Sequence, residues 1–217
     1  MATRPVFFAC DGGALYSVYN AEFDWAGGFA LSQKQKNVAA IHNSFLQRYP
    51  DKRVLEISSR STEPVGIAAS AFNLNKYVPS LGASIPLENV FQGSKVFRLG
   101  GPFTDIFGKE PIEAKRDERL KNSGSLVKFS FEGVDYPLAP MTVFYDYIYV
   151  NALPENPDIA SEILKYDGFT DIAFNPAKSI NCQARSAAIF VSLSRRGLLD
   201  SARDFSAFLY LHRQTVK

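Results

Sequence analysis

The sequence predicts an α+β fold, mainly helical, with small β elements and hairpins. Three observations lead there. Apolar residues recur at helical spacing in several separate runs. One segment alternates apolar and polar residues on both sides of Glu132–Gly133, the pattern of a tight hairpin. The composition, 46% hydrophobic and 21% charged over 217 residues, is that of a folded chain. This length suits one large domain or a domain with an extension. We place an N-terminal strand and helix extension at 1–60, packed on a main domain at 61–217.

In order along the chain, "PVFFAC" and "ALYSVYNAEFDW" read as strands around the Gly12–Gly13 turn. Ser32 is the expected cap of a helix reaching about Tyr49, with Val38, Ile41 and Phe45 on one face. "RVLEISS" reads as a strand, and "SSRSTEPVG" interrupts regular structure. Pro86 opens a helix that "GGPFTD" closes. Pro111 opens another, with Gly124 as its stop. Val127, Phe129 and Phe131 alternate into the hairpin. Met141, Phe144, Tyr145, Ile148 and Ala152 follow at helical spacing, and Asn156–Pro157 opens a short helix. "FTDIAFNP" is extended; Ser179 is the expected cap of a helix ending at Arg195–Arg196–Gly197, and a last helix closes the chain.

Composition narrows the function. A net charge of +2 supplies no overall basic field for nucleic acid and leaves only a local patch open. Cys10 and Cys182 are expected as free thiols, and no Cys/His spacing resembles a metal site. His42 and His212 stand apart, which speaks against a His-based triad. With no leader-like N-terminus and no long apolar run, the expected location is the cytoplasm.

The most informative stretch is "PLENVFQGSKVF". On a continuous helix Glu88, Gln92 and Lys95 share a face, with Glu88 and Lys95 about 10 Å apart along the axis. That exceeds the reach of an i,i+4 pair, so a ligand could bridge them. Gly93 would cost such a helix about 1 kcal/mol against Ala, which makes sense where a neighbour or ligand comes close. Spacing alone also fits a solvated polar face.

These residues, with Phe91, match the E-x-x-x-Q-x-x-K pattern of the NADAR (YbiA-like) superfamily. "SAFNLN" and "EPIEAKRDERL" resemble further elements of it, as does "ENPDIASEILKYDGFTDI". "ALSQKQK", "NVFQGSKVFRLGGPFTDI", "FYDYIYVNAL" and "FTDIAFNPAKSINCQARSAAIFVSL" are similar to the DarT-associated NADAR antitoxins, together spanning most of 29–195. The resemblance implies a NADAR-like catalytic domain at 61–217 that removes ADP-ribose from guanine in DNA by cleaving an N-glycosidic bond. It implies ADP-ribosylated DNA as substrate, a DarT-type toxin as functional partner, ADP-ribose as ligand and product, and no cofactor, metal or membrane. Lys95 takes the place of the nucleophile that attacks the anomeric carbon through a Schiff-base intermediate. Glu88 would stabilise oxocarbenium charge or handle protons, and Gln92 would orient the substrate. A neutral amine at Lys95 requires desolvation or a cationic neighbour.

Asp171 and Asp146 are candidates for a second carboxylate. The pattern expects an acid where Ala173 stands, which leaves open a slow enzyme or an inert binder of ADP-ribosyl-guanine. Action on a small ribosylated metabolite is the other enzymatic alternative. Lys115, Arg116 and Arg185 are candidates for the diphosphate, as is the N-terminus of the helix expected from Ser179. Phe72, Phe91 and Phe103 are candidates for base stacking, and Asn73, Asn175 and Asn181 for ribose or guanine edges.

Overall fold

The computed structural model describes residues 1–177 and 179–214. A hairpin of β1 (Ala2–Ala9) and β2 (Tyr16–Phe23) runs in register from Ala2↔Phe23 to Ala9↔Tyr16. Then come α1 (Leu31–Arg48), β3 (Val54–Glu56), α2 (Pro64–Ala68), and a second hairpin of β4 (Asn75–Val78) and β5 (Ala83–Pro86). The middle of the chain holds α3 (Leu87–Gly93), β6 (Lys95–Phe97), α4 (Pro111–Arg116), α5 (Arg119–Asn122), β7 (Leu126–Phe131) and β8 (Val134–Tyr136). It ends with α6 (Val143–Ala152), α7 (Pro157–Ile163), β9 (Gly168–Thr170), α8 (Gln183–Arg195) and α9 (Phe205–Arg213). The α+β expectation holds. Among the described residues, no helix is long and apolar enough to cross a membrane.

The main sheet has the order β2-β1-β9-β3. Its β9 runs antiparallel to β1 and parallel to β3, pairing Val54↔Gly168, Leu55↔Phe169 and Glu56↔Thr170. Alternation along β1 sends Val6 toward the cluster containing Val38, Ile41 and Phe45 of α1. It sends Phe7 to the opposite face, into the larger core with Ala187, Ala188 and Val191 of α8. One structural consequence matters for the site. Parallel β3 and β9 both end at the same edge, so the chain segments leaving them lie side by side.

Several boundaries differ from expectation. The N-cap of α1 is Ala30, so Ser32 lies within the first turn and makes no cap bond. The N-cap of α8 is Cys182, three residues beyond Ser179. The helix from Pro111 breaks after Arg116. There the Asp117 carboxylate accepts the Arg119 amide at 3.0 Å and Lys109 Nζ at 2.6 Å, local bonds that compete with helical ones. In the hairpin both Glu132 and Gly133 have positive φ, 50° and 75°, as a two-residue connection requires.

The largest correction concerns α3. The helix stops at Gly93, and Lys95 begins β6, paired Lys95↔Phe129 with β7. Lys95 therefore does not share a continuous helical face with Glu88. Gly93 closes the helix instead of interrupting it. A Cβ there would lie 2.5 Å from the Phe107 ring, so the close neighbour is a side chain of the protein.

Candidate active site

A cavity of about 310 Å³ opens beside the ends of β3 and β9. This is at the small end of the ~300–1,000 Å³ range of ligand pockets. One wall is α3, presenting Glu88, Phe91 and Gln92; Tyr145 of α6 stands beside them. The cavity is also lined by Ser58 and Arg60 after β3, and by Asp171 and Ala173 after β9. Phe72 and Lys115 lie on the remaining side, and Asn181 and Gln183 contribute from the start of α8.

The α3 wall carries a continuous hydrogen-bonded line. Gln92 Nε2 donates to Glu88 Oε1 at 2.9 Å, and Lys95 Nζ donates to Gln92 Oε1 at 2.6 Å. The strand that removes Lys95 from the helix thus returns its amine to the same line. Lys95 itself is not on the cavity wall. Its amine lies behind Gln92 and over the Phe91 ring, 4.7 Å from the centroid. Burial pulls the Lys95 ammonium down to about 8; the Glu88 charge opposes this and Lys115 adds to it. Lys115 Nζ lies 3.7 Å from Glu88 Oε1 and 5.2 Å from the Phe72 centroid, so cation, carboxylate and ring meet at one rim.

On the wall formed after β9, burial and then the Glu56 charge push the Asp171 carboxyl up to about 7. Its Oδ1 accepts the Ala173 amide at 3.0 Å. Glu56, at the end of β3, is only 2% exposed and sits behind this wall. It accepts Ser58 Oγ at 2.6 Å, Thr170 Oγ1 at 2.6 Å and the Ile172 amide at 2.9 Å. Gln183 ties the walls together, accepting from Ala71 N at 2.8 Å and donating to Ile57 O at 2.6 Å. Asn181 Oδ1 is buried and has no hydrogen-bond partner among the described residues.

The structure therefore brings Glu88, Phe91, Gln92, Phe72, Lys115, Asp171, Ala173 and Asn181 to one cavity. Other residues singled out from sequence lie elsewhere. Asp146 is fully buried and bound to Arg185, Ser186 and His212, so neither Asp146 nor Arg185 lines the cavity. Phe103 stacks on Phe97 at 6.3 Å beneath the Arg119 guanidinium. Asn73 is exposed and donates to Ile67 O and Ser70 Oγ. Asn175 closes its own turn by accepting the Ala177 amide, and Arg116 is exposed on α4 away from the walls. Because α8 starts after Cys182, the expected anion site at a Ser179 helix terminus does not form.

Sequence reasoning missed Ser58, Arg60, Tyr145 and Gln183 on the walls, and Glu56 behind them. A signal for Glu56 was present: a lone acid inside the apolar run "VLEI" must be buried with partners. Tyr145 was read as core and is both, its ring packed edge-on to Phe91 at 5.0 Å. Among the described residues, no group of three or more His, Cys, Asp or Glu side chains could hold a metal ion. No curated protein matches the chain. A family model does: that of the DarT1-associated NADAR antitoxins, over residues 2–217.

Proposed function

The chain belongs to the DarT1-associated NADAR antitoxin family, and from that premise we propose that it removes ADP-ribose from guanine bases in DNA. The observation that carries this reading is the Glu88–Gln92–Lys95 line, which joins a cavity-facing carboxylate to a buried amine with a depressed pKa. In the first step Lys95, released from Gln92, bonds through its neutral amine to the anomeric carbon. The carbon–nitrogen bond to guanine breaks, its electron pair leaves with the base, and protonated Asp171 gives that nitrogen a proton. Glu88, on the cavity wall, faces the oxocarbenium charge as it develops. The adduct, a protonated glycosylamine in equilibrium with its protonated Schiff base, is then hydrolysed to ADP-ribose, and the lysine is regenerated as the neutral amine. Arg60 and Lys115 are the cations available to the diphosphate at the rim.

The test is incubation with an ADP-ribosylated DNA oligonucleotide, with and without borohydride. The expected results are release of free ADP-ribose, and, on reduction, a stable adduct on Lys95. Lys95→Ala should lower release at least ~100-fold while staying folded. Normal turnover by that variant would overturn the nucleophile assignment.

A second reading rests on Ala173, which presents a methyl to the cavity where the family pattern carries an acid. On this reading the chain holds ADP-ribosyl-guanine with little turnover. Retention of the modified oligonucleotide without release would favour it. Release from a free ribosylated metabolite, with no action on the DNA, would instead favour a small-molecule N-glycosidase.

A further inference from the structure

Glu56 accepts three hydrogen bonds beside the cavity, and the lysine–carboxylate chemistry above leaves it without a role. We infer that Glu56, acting through the Ser58 hydroxyl, receives the proton of the water that hydrolyses the lysine adduct; this rests on the glycohydrolase reading of the same site.

The geometry supports a relay. Ser58 lines the cavity and directs its proton to Glu56 Oε1 at 2.6 Å; its oxygen accepts the Arg60 amide at 3.1 Å, which leaves one lone pair to accept from water in the cavity. Glu56 is held rigidly. The Ile172 amide reaches Oε1 at 2.9 Å and Thr170 Oγ1 reaches Oε2 at 2.6 Å. Thr170 directs its proton to Glu56, so its bond with His42 Nε2, at 2.9 Å, is one that His42 donates. From above, α2 packs directly on the Glu56 backbone: a Cβ on Gly66 would lie 2.1 Å from its carbonyl oxygen.

The charged and titratable neighbours make Glu56 a readier proton acceptor than an exposed carboxylate. Burial raises the Glu56 carboxyl, while Ser58, Thr170, the Ile172 amide and Arg60 pull it back. His42 on α1 is pushed down to about 4 by burial and stays neutral, so it donates without adding a positive charge. Asp171, after β9, adds negative charge whenever it is ionised. The α2 helix, "PVGIA", contributes no charged side chain.

The step balances. Water gives a proton to Ser58 Oγ as Ser58 passes its own to Glu56. The resulting hydroxide bonds to the anomeric carbon. The carbon–Nζ bond breaks and its electron pair returns to Lys95. Glu56 ends protonated and Asp171 ionised from the first step, and one proton moving from Glu56 to Asp171 through solvent resets the site.

The test separates the two steps. Ser58→Ala and Glu56→Gln are mixed with ADP-ribosylated oligonucleotide, and the restored guanine-containing strand and free ADP-ribose are timed separately. The expected result for Ser58→Ala is a first-turnover burst of restored strand within ~3-fold of wild type and steady ADP-ribose release lowered at least ~30-fold; Glu56→Gln, which also removes a charge that keeps Asp171 protonated, should show the same split when compared with wild type at about pH 6. Borohydride-trapped adduct should accumulate. A merely structural role would lower burst and steady rate together, and that result overturns the inference, as does Ser58→Ala turnover at the wild-type rate. Ser58→Ala keeps the test decisive should Glu56→Gln fail to fold. A wild-type chain that neither restores the strand nor releases ADP-ribose overturns the reading of the site and the inference with it.

Discussion

At the scale of single residues, the site is defined by two groups whose environments move them toward each other in pH. Burial holds Asp171 at about 7 and Lys95 at about 8. In the proposed mechanism the productive pairing needs Asp171 protonated and Lys95 neutral, so each is in its minority form between those values. The pairing peaks at on the order of 5% of molecules near the midpoint. The expected kcat/KM profile is a bell: it rises as Lys95 loses its proton and falls as Asp171 loses its own. Residual activity of Asp171→Asn should keep the rise and lose the alkaline fall, and a wild-type rate flat from about pH 6 to 9 would refute the pairing. Ala173 carries the other residue-scale prediction. It is exposed and lines the cavity, so Ala173→Glu should fit and place a carboxylate there. The expected effect is a gain of about 10-fold or more in ADP-ribose release. An unchanged rate would mean that the Ser58–Glu56 pair already does the work of that acid.

At the scale of elements, α3 shows what a sequence reveals and what it hides. The residue types and their order were legible: acid, amide and amine do form one line. The element carrying the amine was not. Local spacing favours a longer helix, but "KVF" is β-branched and aromatic, and pairing with β7 wins once Phe129 is alongside. That partner is more than thirty residues away in sequence, where periodicity cannot see it. Caps failed for a similar reason: Ser32 and Ser179 have the right chemistry, but tertiary packing sets the helix starts elsewhere. The hairpin at Glu132–Gly133 was legible because its determinants are adjacent. Gly93 tests the helix end. Gly93→Ala must displace the Phe107 ring, which itself packs against Phe131 at 6.4 Å. It should destabilise the chain by about 1–3 kcal/mol despite the better helix propensity, read as a lower urea midpoint. Phe107→Leu in the same chain should recover part of that loss. An unshifted midpoint in Gly93→Ala would mean that the junction yields freely and does not fix where α3 ends.

At the scale of the whole molecule, the cavity depends on bonds made away from it. Asp146 of α6 accepts Arg185 Nη2 at 3.2 Å and Ser186 Oγ at 2.6 Å from α8, and pairs with His212 Nε2 of α9 at 2.9 Å. One buried carboxylate thus ties three helices, and two of them supply Tyr145 and Gln183 to the walls. Sequence reading offered Asp146 as a candidate second carboxylate and Arg185 as a candidate for the diphosphate; each is a charge in an apolar run. The same pattern marks a buried pair, and only their mutual distance tells the two apart. Burial pushes the Asp146 carboxyl up, but Arg185, His212 and Ser186 more than offset this and hold it below its ordinary value. A carboxylate depressed on folding contributes stability that is present above its unfolded pKa of about 3.9 and is lost as pH falls through the folded value. This carboxylate is therefore expected to contribute a loss of stability as pH falls below about 4. Asp146→Ala leaves the Arg185 guanidinium buried without its partner and should cost about 3–5 kcal/mol at neutral pH. The acid-induced loss should become correspondingly shallower. Thermal unfolding followed across pH measures both. If Asp146→Ala matched the wild type at neutral pH, α6, α8 and α9 would be held by apolar packing alone, and the carboxylate would not be what fixes the walls that Tyr145 and Gln183 build.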